Sequence, residues 1–433
     1  FTYPEATAVL PPPSKTTVSP LPDSKPTPFS VKVHQAGGFS VRLNDSVYQF
    51  TSRISWPHGE FNYLGKNVQG EPKWQPKVEQ LDANTYRVHG HGDYYEVKRT
   101  LQIFSTHIAI ADTFSNHTDD DLGLLVYNEL NFATDSVASS RIGGFQRGGR
   151  LHDVFSPSIF VDDGQAGIGM LPLDDVFVIQ SVLYNEFPVM GMGTENLALA
   201  PGGSYTLQWA VYPTGSRDYY DFINTFRTVE NRIGTIDGGL GFFTAGPKNR
   251  DQIPAREFLQ QRGIQYGLMH NLAGIVDDPQ LSIQGIEFID FPKERARLQT
   301  QATAIHADHP DLKIAVHLAH SLYCTNDTDR YADSKVILKN GKQATWGVPH
   351  AYISKERQDA GWKFWVFYPT PGNLFHKAML NSVDVLLDEI GMDGAFMDGF
   401  FAGYGSRWTY DGRWDGFSAE IDLKTKTIQR KIG

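Results

Sequence analysis

Apolar and polar residues alternate singly through the first half of the chain and regroup into longer blocks in the second. Phe39–Leu43, Val47–Thr51, Thr85–Gly90, Tyr94–Phe104, His107–Ser115, Leu122–Asn128, Val176–Val182 and Ser204–Tyr212 all read with period two or as short apolar runs. That is the pattern of strands with one face in a core. Turn-forming clusters, among them Asn116–Asp121, Asp162–Gly164 and Pro201–Gly203, separate them. Many strands without an intervening helix predict an antiparallel β-sandwich over 31–215.

From about 237 the texture becomes α/β. Gly239–Thr244, Ile264–His270, Leu312–His320 and Trp362–Pro369 read as strands, and Ile286–Asp290 as a strand or an inserted segment. Pro254–Arg262, Pro292–Ala307 and Leu380–Ile390 read as helices, the first and last stopped by Gly263 and Gly391. After Gly391 a short apolar run, Ala395–Met397, delivers Asp398. Strand–helix alternation predicts a parallel sheet, and the expected fold over 237–433 is a (β/α)8-type barrel. Only five or six strands are readable before Gly433, so the barrel looks incomplete at its C-terminal end. The chain is thus expected to be multidomain, β then α/β. A helical connector is expected at 216–236, where Phe222 and Phe226 fall four apart. Residues 1–30 hold eight prolines and read as an extended arm or linker.

A length of 433 residues fits two or three domains. The net charge of −10 argues against nucleic acid as a partner, since phosphate binding needs a basic face. No apolar run is long enough to span a bilayer, so no membrane insertion is expected. The single cysteine, Cys324, excludes an internal disulfide and reads as a buried thiol. A start at Phe1 and sequons at Asn44, Asn116 and Asn326 lead to the expectation of a secreted or otherwise exported protein.

Candidate chemistry gathers at predicted strand ends, where a barrel keeps its active site. Asp398 is the leading catalytic candidate, because Gly394, Phe396 and Asp398 share one strand face and Gly399 follows at once. Glycoside cleavage needs a second carboxyl. The loop from Tyr404 to Asp422 interleaves Trp408 and Trp414 with Asp411, Asp415 and Glu420, and Asp415 is taken first. Trp408, Arg413 and Trp414 suit a sugar subsite through stacking and bidentate contacts. His270, Asp290, His317, His320 and Tyr368 stand at or near other strand ends and are expected to touch substrate. No metal motif, P-loop, dinucleotide fingerprint or nucleophile elbow is present, and no cofactor is expected.

Val97–Phe104, His107–Asn116, Leu124–Leu130 and Leu207–Pro213 together resemble the galactose-mutarotase-like supersandwich, which precedes the catalytic barrel in several glycoside hydrolase families. Gly394–Asp398 resembles the Gly-hydrophobic-hydrophobic-hydrophobic-Asp strand of barrel glycosidases, including enzymes acting on α-galactosides and α-N-acetylgalactosaminides. The resemblance implies a glycosidase acting on a polysaccharide or glycan, with Asp398 as nucleophile or base. The alternatives are a non-catalytic carbohydrate-binding protein and a polysaccharide lyase using Tyr and His of the sandwich.

Overall fold

The computed structural model describes residues 27–132, 137–152, 155–234, 238–244, 255–270, 286–346, 353, 355–398 and 406–433. They fall into two compact units, one holding residues up to 234 together with Gly412–Gly433, the other holding those from 235 to Asp411.

The first unit is an antiparallel sandwich of two eight-stranded sheets. One sheet orders its strands Phe29–Val33, Phe39–Leu43, Ser46–Ser55, Leu122–Asn131, Val189–Leu199, Ser181–Glu186 and Gly149–Leu151, with Phe61–Leu64 also paired to Ser46–Ser55. The other runs Ser139–Ile142, Ile159–Asp162, Gly167–Pro172, Ser204–Thr214, Ile108–Asn116, Tyr95–Ile103, Thr85–His91 and Lys77–Gln80. Alternation sets the faces: Tyr95, Val97 and Leu101 enter the core while Lys98, Thr100 and Gln102 point out. Phe39 stacks on Phe50 at 4.7 Å in that core. Arg99 and Asp112 are buried there as a bidentate pair, 2.7 and 2.8 Å, with Trp209 Nε1 donating to the same carboxylate at 3.0 Å. Removing either partner would leave an uncompensated charge, so the pair fixes the register of its strands.

One expectation is corrected. Val176–Val182 is not one strand: Asp175–Gln180 is a short helix, and a strand starts at Ser181. The Asp174 carboxylate accepts from Phe177 N–H at 2.9 Å, and this N-cap outweighs the β-branched composition of the run. The helix Tyr219–Val229, expected as a connector, packs Tyr219 and Phe222 onto Phe160, Leu171, Ala210 and Tyr212 of the sandwich. Residues 412–433 group with the sandwich. Strands Ala419–Ile421 and Ile428–Lys431 pair with each other, and Ala419 and Ile421 pack on Leu125, Tyr127, Tyr184 and Ala198 of the sandwich. Ala198 N–H donates to Phe417 O at 2.9 Å, and Asn196 Nδ2 to Ala419 O at 2.8 Å.

The second unit contains four parallel strands, Gly239–Thr244, Ile264–His270, Lys313–Ala319 and Gly394–Asp398, hydrogen-bonded in chain order. Ile314, Val316 and Leu318 turn one face toward Leu298, Ala302 and Ile305 of the helix Pro292–Asp308 and toward Leu386, Ile390 and Met392. The helix Leu374–Asp384 continues as a π-helical turn, Val385–Ile390, and Gly391 ends it at φ +81°, a conformation glycine adopts without strain. A fifth or sixth parallel strand is not found among the described residues. Lys363–Val366 pairs antiparallel with Leu322–Thr325, making a separate ribbon. Glu287–Asp290 is a 3₁₀ turn leading into Pro292. Apolar pattern identifies a strand but not its partner, which is why the ribbon was read into the barrel.

Candidate active site at the tip of the parallel sheet

The strand Gly394–Asp398 pairs with Lys313–Ala319 so that Phe396 lies beside His317 and Asp398 beside Ala319. Gly394, Phe396 and Asp398 therefore share a face with Ala315 and His317, opposite the helix-packed face of Ile314, Val316 and Leu318. His317 is buried, with its ring 5.9 Å from that of Phe396, which in turn meets Phe242 edge-on at 6.0 Å. The Asp398 side chain is 51% exposed, and its Oδ2 lies 3.0 Å from His317 Nε2. An ionised carboxylate only accepts, so in this pair the imidazole carries its proton on Nε2.

His320, just past the strand, is held at the same tip. Its Nδ1 lies 3.0 Å from the Asp398 carbonyl oxygen, and its backbone N–H points to that oxygen at 3.4 Å. One histidine thus orients the Asp398 side chain and the other ties down its backbone. The result is an anchored carboxylate with an open side, suited to act as nucleophile or base.

The other sequence candidates divide. His270 ends its strand opposite Thr244, and its side chain lies outside the described residues. Asp290 is gripped by Arg330 at 2.6 and 2.7 Å and by the Tyr323 hydroxyl at 2.6 Å. That bidentate clamp ties the turn before Pro292 to the ribbon. Tyr368 donates its hydroxyl to Ser406 O, and burial pushes the phenol up to about 12 against the opposing charge of Arg407, so it remains a protonated donor. Trp408 N–H donates to Ser406 Oγ at 3.0 Å, while Tyr410 N–H reaches Ile337 O at 2.8 Å. These contacts fasten the segment from Ser406 to Tyr410 onto its own unit.

Arg413, Trp414 and Asp415 belong to the sandwich unit. Trp414 Nε1 donates to Ser418 O at 2.9 Å, and Lys431 Nζ sits 4.1 Å from a Trp414 ring centre. Asp415 Oδ1 accepts from Phe417 N–H at 2.8 Å and Ser418 N–H at 2.7 Å, and Oδ2 from Ser418 Oγ at 2.5 Å. The carboxylate closes its own turn, as aspartate commonly does before glycine. Sequence reasoning missed Asp393, which accepts from Ile314 N–H and His306 Nε2, both at 2.9 Å, and from Lys313 Nζ at 3.0 Å. Its place directly before an apolar strand and after a glycine stop was the available signal.

No protein-family model matches the chain, and no curated protein does. Among solved structures, the chain is similar to the galactosidase domain of an alpha-galactosidase-sucrose kinase, AgaSK, at 10% identity and TM-score 0.44, over 87% of this chain and 57% of that one. It is also similar to a GH31 family sulfoquinovosidase from E. rectale at 9% identity and TM-score 0.43, over 92% and 61%. A galactose mutarotase related enzyme from Lactobacillus acidophilus matches at 10% identity and TM-score 0.27, over 45% of this chain and 97% of its own. The chain spans less than two thirds of the first two.

Proposed function

We propose that the chain is part of a carbohydrate-active enzyme and, within that class, of a glycoside hydrolase in which Asp398 is the nucleophile or base. The observation that supports it is the half-exposed Asp398 carboxylate at the C-terminal tip of a parallel strand, anchored by buried His317. The four parallel strands are read as part of a (β/α)8-type barrel, in which strand tips carry the chemistry. His317 aims the carboxylate, and His320 fixes the backbone beneath it. The acid that protonates the leaving group is a second carboxyl other than Asp415. Substrates are polysaccharide or glycan chains, and the protein is exported to meet them.

The test is hydrolysis of a panel of aryl glycosides and glycans by the wild type and Asp398→Asn. Released reducing ends in the wild type and none in the variant support the assignment. A retaining nucleophile would also accept a 2-fluoroglycosyl label, located by mass spectrometry on the peptide carrying Asp398. Products absorbing in the ultraviolet as unsaturated uronates would replace hydrolysis with lyase chemistry. Glycan binding without any turnover would make the chain a recognition module.

A further inference from the structure

We propose that one end of the sandwich carries a binding site for an anionic glycan, bearing uronate or sulfate, built on Phe145, Arg147, His152 and Phe155. The inference rests on the reading of the chain as glycan-active and adds the charge of that glycan. The segment from Ser139 to His152 holds Arg141, Arg147 and Arg150 and no acidic residue, in a chain of net charge −10. A local excess of positive charge of this kind gathers anions.

The backbone presents these groups firmly. Ile142 and Phe145 exchange N–H···O bonds of 2.9 and 3.0 Å around Gly143 and Gly144, whose φ values of +60° and +85° suit glycine. Gly143 N–H also donates to Ser158 O at 2.8 Å. Farther on, Asn185 Nδ2 donates to Arg147 O and to Ser140 Oγ, both at 3.1 Å. Between these anchors Phe145, Arg147, Leu151, His152 and Phe155 line a groove of about 360 Å³. Small-ligand clefts occupy roughly 300–1,000 Å³.

Exposure singles this region out. Phe155 is 70% exposed, Tyr220 68% and Phe145 65%, the three most exposed large apolar side chains among the described residues. Tyr220 stands beside Tyr219, whose hydroxyl lies 2.8 Å from Ser158 Oγ and whose ring faces Arg141 at 5.7 Å. One exposed apolar ring is ordinary, whereas three around one loop mark a binding surface. Flat rings of this kind cover the C–H face of a pyranose.

Arg147 is the polar anchor. Its exposed guanidinium has no partner among the described residues. Arg150 is engaged by Glu195 at 2.9 Å, and Arg141 by Gly144 O at 3.1 Å. A free planar fork beside stacking rings matches a carboxylate or sulfate through two parallel hydrogen bonds. His152, also exposed, adds an N–H in either tautomer. Nucleic acid would ask for a longer basic stripe.

The experiment is affinity electrophoresis and calorimetry with polygalacturonate, dextran sulfate and neutral dextran. It is run in the Asp398→Asn background, so that binding is read apart from turnover. One or both acidic glycans should bind, the tighter naming the acidic group, and neutral dextran should bind about tenfold more weakly or worse. Arg147→Ala should weaken the acidic glycan about tenfold and Arg147→Lys less, because lysine keeps the charge and loses the fork. Phe145→Ala combined with Phe155→Ala should weaken it about tenfold as well. These side chains are exposed, so the variants should melt with their parent. Absence of binding by both acidic glycans, equal binding of neutral dextran, or equal binding by Arg147→Ala overturns the proposal. Single-stranded DNA bound as tightly as the glycans also overturns it, as a general polyanion surface. The assignment of Asp398 is decided separately, by hydrolysis in the wild type.

Discussion

Two aspartates bracket the strand Gly394–Asp398 and occupy opposite chemical situations. Asp393, at the N-terminal end, is 24% exposed and meets three donors: Ile314 N–H, His306 and Lys313. Burial alone would raise its pKa; the hydrogen bonds from Ile314, His306 and Lys313 prevail and hold the carboxyl below its usual range. Asp398, at the other end, has half its side chain in solvent and a buried imidazole behind it. The same residue type on the same strand does two jobs. A carboxylate enclosed by donors fastens the sheet, and one anchored from behind with an open side is available to a ligand.

The largest effect expected from breaking this comparison is at the open end. Asp398→Asn keeps the shape and removes the charge. Turnover should fall about a thousandfold or more, roughly 4 kcal/mol of barrier. The melting temperature should stay within about 2 °C, because little packing is lost. Steady-state kinetics with a thermal melt reads both, and near-full activity would remove Asp398 from the chemistry.

At the closed end the expectation inverts. Asp393→Ala should cost about 2–3 kcal/mol of stability in urea unfolding while the folded protein keeps its turnover. The pH dependence has a definite sign. Asp393 has a lowered folded pKa, so its contribution is present above the unfolded value, about 3.9, and is lost as pH falls through the folded one. Acid unfolding of Asp393→Ala should therefore show a shallower loss of stability below about pH 4 than the wild type.

Much of this arrangement was legible in the sequence. The strand ending at Asp398 is announced by the Gly391 stop and three apolar residues, and the sandwich strands by their alternation. The role of His317 was not, because it depends on a register between segments some eighty residues apart, which no local pattern encodes. The partners of Asp415 and Asp290 were not legible for a related reason. An acidic residue near aromatics and arginine has the composition of a sugar subsite and equally of a turn or clamp, and only the hydrogen-bond partners separate them. The sequon at Asn116 is a further case: the asparagine is buried, and its Nδ2 donates to Asp120 O, Leu199 O and Ala200 O, so it is a structural tie and no glycan acceptor. Cys324 is buried, as expected of a single cysteine.

The imidazole behind Asp398 should carry a smaller share. His317→Phe keeps a ring next to Phe396 and deletes the donor to Oδ2. A hydrogen bond to a charged group is worth about 1.5–3 kcal/mol, so turnover should drop roughly tenfold to a hundredfold. A purely structural role would leave the pH profile unmoved. Loss of a donor to the ionised carboxylate should instead shift the acid limb of the rate profile to higher pH. His317→Gln, which can restore a donor, should recover part of both.

The smallest expected effect concerns Asp415, the carboxylate that sequence proximity had paired with Asp398. Its oxygens take the N–H groups of Phe417 and Ser418 and the Ser418 hydroxyl, and that hydroxyl also accepts from Gln180 Nε2 at 3.0 Å. Asp415→Ala should loosen the turn that leads into Ala419–Ile421, at a cost of about 1 kcal/mol, the usual loss for a capping side chain. Turnover should remain within about twofold of the wild type, far from the roughly 100–10,000-fold loss that removal of a general acid or base brings. A fall comparable to that of Asp398→Asn would show that this carboxylate leaves its turn to serve the reaction. The division between fastening and reacting aspartates would then fail at Asp415.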